Sequence, residues 1–177
     1  MTEHSPVIIA IDGTAASGKG TLAKRLAKYL DYAYLDTGLL YRRVALTLIR
    51  QGLPTDSREA AIAAARALDP APLDDPKLRG TEAGRGASVI GAIPEVRKTL
   101  YDFQRNFPAP CGKAGAILDG RDIGTVIFPE APIKFYVDAD VAARAQPRHK
   151  ELLAKGETIA YETVLADMKE RHARDSA

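Results

Sequence analysis

The stretch Gly13-Thr14-Ala15-Ala16-Ser17-Gly18-Lys19-Gly20-Thr21 surrounds one lysine with small side chains, one residue after the apolar run 7–11. Small residues let successive main-chain N–H groups turn toward an anion, and a helix starting at the lysine adds its partial positive charge, so the segment suits a polyphosphate. Lys19 can then follow a phosphoryl group as it leaves its donor. Gly20 stands where a phosphate loop ordinarily carries Ser or Thr, with Thr21 next, so magnesium lacks its usual hydroxyl ligand at that position. A glycine-rich turn without a ligand is the plainer alternative, and the strand before it and the helix after it argue against that.

Phosphoryl transfer needs cations around both donor and acceptor phosphates, and arginine, always charged and able to bond bidentately, suits the work. Arg42, Arg97, Arg121, Arg144, Arg148, Arg171 and Arg174 are spread along the chain and not massed in one run. Asp119-Gly120-Arg121-Asp122 runs directly out of a strand candidate, at the kind of strand end where open α/β sheets collect ligands. The residues alone leave second readings open. Arg144, Arg148 and Arg171 fit exposed helix faces, Arg121 and Asp122 fit a simple ion pair, Asp119 fits a turn cap, and Tyr41 fits the core. His149 and His172 have no partners spaced for a triad or metal site and read as surface, and Cys111, between Pro110 and Gly112, reads as a loop thiol.

These residues need elements to hold them. The run 7–11 lacks alternation and suits a parallel strand covered on both faces. Leu22, Leu26 and Leu30, beside Ala23 and Ala27, predict an amphipathic helix over 19–30. A second strand is expected at 32–35, then a helix from Asp36-Thr37-Gly38 to Gln51, closed by Gly52 and Pro54. Ser57 caps a short helix through Leu68, and 69–86, rich in Pro, Asp and Gly, reads as a mobile insert. Pro94 begins a helix carrying Val96, Leu100, Phe103 and Phe107. Strands follow at 116–118 and 133–137, then helices at 139–155 and 160–174, the last with Tyr161, Val164, Leu165 and Met168 on one face. The βαβ rhythm points to the α/β class.

In order along the chain, IDGTAASGKGTLAKRLA, YLDTGLLYR, ASVIGAIPEVR with FQRNF, LDGRDIGTVIFPEAP and ETVLADMKERHARD resemble the bacterial cytidylate kinases. GKGT is the form seen in nucleoside monophosphate kinases, and GRDIGT and LDTGLLYR are far more specific than a phosphate loop. The resemblance implies one P-loop NTPase kinase domain over 1–177, a parallel sheet flanked by helices, with an NMP-binding insert near 53–108 and a helical lid near 144–160. It implies ATP with Mg2+, and transfer of the terminal phosphate to CMP or dCMP. In that family the residues matching Thr37, Tyr41, Arg42 and Arg121 surround the acceptor phosphate, and those matching Ser88, Arg97 and Asp122 read the cytosine. Asp119 is grouped with the same substrate site. The matches to Arg171 and Asp175 imply ribose contacts. Arg144, Arg148 and Arg174 become lid or near-lid arginines that steady the transferring group, beside Lys19 and Arg121. Asp122 can accept from the exocyclic N4 amine while Arg97 donates to O2 or N3, an arrangement that repels the 4-carbonyl of uracil.

Three departures from the family pattern carry expectations of their own. The family's chain continues past KERHARD, so part of the adenine pocket and one sheet strand are expected to lie beyond Ala177. Pro147, after Gln146, falls in the first lid helix, so either that helix starts late or the lid is impaired. Val89 stands where the family often has lysine, which removes a base or phosphate contact.

Composition narrows the function classes. A chain of 177 residues, 46% hydrophobic and 27% charged, can bury one ordinary core. A formal charge of +2 without a Lys/Arg run, and few aromatics, gives no support to nucleic-acid binding. Residues 1–6 are polar and acidic, unlike a signal peptide, no stretch is long enough to cross a bilayer, and a single cysteine makes no internal disulfide. A cytoplasmic enzyme with small nucleotides as partners is expected, and the family resemblance suggests a monomer. The competing readings are a kinase for another small acceptor (UMP, AMP or shikimate) and a nucleotide-binding module without turnover.

Overall fold

The computed structural model describes residues 4–69 and 73–175. Its centre is a four-stranded parallel sheet of β1 (Val7–Gly13), β2 (Ala33–Asp36), β3 (Gly115–Gly120) and β4 (Ile133–Val137), in the order β2-β3-β1-β4. β1 is apolar at consecutive positions because it is an interior strand. Ile8 and Ala10 face one side of the sheet, Ile9 and Ile11 the other, and all are buried. The register pairs Asp12 with Gly120, Gly13 with Val137 and Asp36 with Asp119, so the segments that follow β1, β2 and β3 leave the sheet at one edge.

The first face is covered by α2 (Thr37–Arg50), α3 (Arg58–Arg66), α4 (Thr81–Ile90) and α5 (Pro94–Asn106), with Leu40, Val44, Leu48, Ala61, Ile90, Val96 and Leu100 in the core. Ser57 caps α3, its hydroxyl accepting from the Ala60 amide. The opposite face carries α1 (Lys19–Leu30). Its buried stripe is Ala23 and Ala27 with Leu26 beside them, whereas Leu22 and Leu30 are 43% and 36% exposed. Small side chains, and not the leucine spine expected from spacing, bring this helix onto β1 and β3. β4 is an edge strand, and its Phe135 and Tyr136 are correspondingly 46% and 69% exposed.

Two expectations are corrected. The stretch 69–86 is not a mobile insert throughout, because Pro76–Arg79 is a 3-10 turn and α4 starts at Thr81. Glycines 84 and 86 read as breakers in sequence, yet in α4 they let the helix approach α2. A Cβ on Gly86 would lie 2.9 Å from that of Ala45, and one on Gly84 3.0 Å from the guanidinium of Arg42. α6 (Val141–Ala154) does not start late either. Asp140 caps it through the amides of Ala142 and Ala143, and the helix runs through Pro147, which has no N–H to offer the Ala143 carbonyl. α7 (Tyr161–Asp175) folds back on α6, and Ala145, Leu152, Val164 and Met168 give the pair a small apolar core of its own.

Candidate functional site

β1 ends where glycine is required, since a Cβ on Gly13 would sit 2.0 Å from the carbonyl oxygen of Val137. Ala16 and Gly18 then take left-handed φ values of 54° and 90°, which turn the chain into α1 at Lys19. No side chain caps that helix, so its first amides remain open to an anion. The Ser17 hydroxyl is buried inside the same loop without a hydrogen-bond partner among the described residues. Gly20 and Thr21 form the first turn of α1. Thr14 Oγ1 donates to Asp138 Oδ1 at 2.8 Å, tying the loop to the end of β4 and holding the Asp138 carboxyl below its ordinary pKa. Arg144 is 2% exposed and donates to the Ala15 carbonyl at 2.6 Å, with His172 Nδ1 3.1 Å from its other nitrogen.

Lys19 is half-buried, with its ammonium 3.4 Å from the Thr14 carbonyl. Burial lowers its pKa, the charge of Arg121 lowers it further, and Asp119 and Asp36 pull the other way. Arg42 donates to the carbonyls of Leu78 and Gly80 at 2.8 and 3.2 Å. Its pKa is lowered to about 9, first by desolvation and then by Arg171 and Arg148, with Arg79 adding to the effect. Arg148 reaches the same place from α6, donating to the Arg79 carbonyl at 2.9 Å. Arg79 lies 3.7 Å from Asp36. Lys19, Arg42, Arg121, Arg148 and Arg171, distant in sequence, thus share one electrostatic neighbourhood with Asp36 and Asp119. Arg79 belongs with them, and nothing in its local sequence singles it out beyond its charge.

Asp119 is 2% exposed. Desolvation and the neighbouring Asp36 push its carboxyl up to about 6, although the Tyr34 hydroxyl donates to it and Lys19 lies close. It does not act as a turn cap. Thr37 is buried and donates its hydroxyl to the Asp119 carbonyl at 2.8 Å, so this side chain braces the β3 terminus. Asp122 pairs with Arg97 of α5. Arg97 also donates to the Gly91 carbonyl at 3.3 Å. Tyr41 is partly buried beside them, its phenol pushed up to about 12 mainly by desolvation. Asp12, which the sequence reading did not single out, accepts hydrogen bonds from the amides of Ile123 and Gly124 at 2.8 and 2.7 Å.

The α6–α7 pair meets α4 through polar side chains. Arg174 donates to Ser88 Oγ at 2.6 Å, Arg85 makes two bonds to Asp167, and Thr81 bonds Glu157 through both its amide and its hydroxyl. The hollow between them, walled in part by Arg148 and Arg171, measures only about 30 Å³. Ser88 and Arg174 are therefore brought to each other. Asp175 is the last residue of α7, and its side chain lies outside the described residues. His149 and His172 are not bare surface residues. His149 Nε2 is 2.8 Å from the Ile159 carbonyl and its ring meets Tyr161 edge-on, and His172 accompanies Arg144. Cys111 is a partly buried thiol donating to the Phe107 carbonyl. Among the described residues no helix is long and apolar enough to cross a membrane.

Comparison with known proteins agrees with this geometry. A family model described as cytidylate kinase matches residues 9–177. The chain is 57% identical to the cytidylate kinase of Rhodospirillum rubrum over 172 residues, 96% of this chain and 81% of that protein. It is 54% identical to that of Xanthobacter autotrophicus over 97% of this chain and 81% of the relative, and 52% identical to that of a Methylobacterium species over 96% and 80%.

Proposed function

The chain belongs to the cytidylate kinase family, and from that premise we propose that it moves the terminal phosphate of ATP onto CMP or dCMP, releasing ADP and CDP or dCDP. The observation that carries the reading is the neighbourhood of Lys19, Arg42, Arg79, Arg121, Arg148 and Arg171 at the carboxyl ends of the strands. Like charges gathered in a partly buried place repel one another, and a pair of phosphorylated ligands relieves that repulsion.

The triphosphate lies along residues 13–21 and the amino end of α1, and Lys19 moves with the transferring group. Arg42 and Arg121 take the CMP phosphate, with the Tyr41 hydroxyl beside them. Thr37 acts by holding the end of β3, because its proton is committed to the Asp119 carbonyl. Asp122 accepts the N4 amine of cytosine and Arg97 donates to O2 or N3, so base binding replaces the ion pair these two make with each other. Ser88 reads the base with them, Arg171 and Asp175 serve the ribose, and Arg144, Arg148 and Arg174 are lid or near-lid arginines that steady the transferring group. The lid near 144–160 and the acceptor insert near 53–108 close over the bound nucleotides, and that closure keeps water from competing as acceptor. The enzyme forms no covalent intermediate, and rate comes from alignment and electrostatic stabilisation.

The residues present fit a hard divalent cation. Asp119 and Asp36 offer carboxylate oxygens beside the start of α1, close enough to each other that Asp36, after burial, helps to raise the Asp119 pKa. Mg2+ held there would supply positive charge against the donor phosphates as the terminal group leaves.

ADP release measured across CMP, UMP, AMP and shikimate tests the reading, with CMP expected to be preferred. Asp122→Asn should lower the CMP-to-UMP ratio of kcat/KM on the order of tenfold. ADP release at the same rate without any acceptor would sink the kinase reading, and an unchanged ratio would sink the account of base choice.

A further inference from the structure

Asp12 is a buried carboxylate, 6% exposed, that the reaction described above does not use. It sits at the end of β1, and the next residue, Gly13, begins the phosphate loop. Both of its oxygens are engaged. Oδ1 accepts from the Ile123 amide and Oδ2 from the Gly124 amide, on a turn 111 residues further along the chain. Those amides open the π-helical turn Ile123–Ile127, directly after Arg121 and Asp122. Ile123 is fully buried in the main core, and Gly124 leaves room for the stem of Lys134, so the turn is seated from both sides. Burial raises the Asp12 pKa while the two amide bonds oppose that rise, in keeping with a carboxylate placed for those amides.

We propose that Asp12 is a positioning residue for substrate reading: by gripping the amides of Ile123 and Gly124 it fixes the Arg121-Asp122 corner relative to the phosphate loop. It touches neither nucleotide. One residue of β1 thereby sets the spacing between the loop that holds the donor and the corner that holds the acceptor. In-line transfer depends on that spacing, because small misplacements of the reactants cost rate steeply. The inference rests on the reading of Asp122 as the base-sensing carboxylate.

Asp12→Asn keeps the side-chain volume but faces one of the two amides with an NH2 group, a donor against a donor. The CMP-to-UMP ratio of kcat/KM is expected to fall on the order of tenfold, while KM for ATP changes less than about twofold. Since Asp12 acts through the Asp122 corner, adding Asp12→Asn to Asp122→Asn should lower the ratio no further. Losses that multiply in the double variant, or a matching rise in KM for ATP, would overturn the inference by making Asp12 a general structural residue. A lowered ratio in Asp122→Asn beside an unchanged one in Asp12→Asn would overturn it and leave the base reading intact. An unchanged ratio in Asp122→Asn would instead strike the base reading itself. Should Asp12→Asn fail to fold, hydrogen exchange on the unaltered protein decides: the Ile123 and Gly124 amides are expected to be protected, and exchange as fast as an open loop would overturn the proposal.

Discussion

The strand-end site and the contact between α4 and the α6–α7 pair are both polar, yet they are built differently. At the strand ends three side chains are buried and anchored to main chain: Asp12 on two amides, Thr37 on the Asp119 carbonyl, Arg144 on the Ala15 carbonyl. Between α4 and the α6–α7 pair the links mostly join side chains to one another. In the Arg85–Asp167 pair the side chains are 55% and 23% exposed. Removing a partner from a buried bond strands a polar group without water, whereas an exposed pair can exchange its partner for solvent at little cost. The first set is suited to hold a fixed geometry, and the second costs less to separate.

This contrast can be broken most sharply at Lys19. Lys19→Met should lower kcat by about 10²- to 10³-fold, with thermal stability kept or raised because a cation crowded by Arg121 is gone. Retention of most activity would mean that the phosphate is gripped elsewhere.

A middle-sized effect is expected at Asp119, whose carboxyl sits at about 6 in the folded protein against an ordinary 3.8. Between those values the folded protein keeps a proton that the unfolded chain has released. The stability this group contributes is therefore complete below 3.8 and lost as pH rises through about 6. Urea unfolding of the ligand-free protein on either side of that window should show the decline, and Asp119→Asn should flatten it. An identical decline in the variant would assign it to other groups.

The smallest effect belongs to the second region. Asp167→Asn should change stability by only about 0–1 kcal/mol, with the expected readout a modest shift in urea midpoint. A loss of several kcal/mol would erase the distinction, by showing that the α4 contact is as integral as the strand ends.

Legibility follows the same division. β1, its loop and α1 were readable because an apolar run, a glycine turn and a helical period all act within a few residues of one another. α4 was hidden because its glycines serve a tertiary purpose, the approach to Ala45 and Arg42, which no local pattern announces. The leucine spine of α1 misled for a related reason: which face of an amphipathic helix is buried depends on what it meets, and β1 and β3 met Ala23 and Ala27. Arg79 escaped notice because its place beside Asp36 comes from the turn after α3, and His172 was assigned to the surface because its partner Arg144 lies 28 residues earlier in the chain.

The amino-acid sequence by itself determined the chemistry on offer: a lysine in a small-residue turn, arginines suited to phosphates, and in Arg97 and Asp122 a donor and an acceptor able to meet polar groups. These are properties of side chains and of short-range backbone preference, and they need no partner to exist. Only the tertiary structure decided which charges meet, that Asp122 pairs with Arg97, and that Asp12 bonds the turn that follows Asp122. Those pairings follow from strand register and helix packing, which join residues far apart in the chain and are set by the core as a whole.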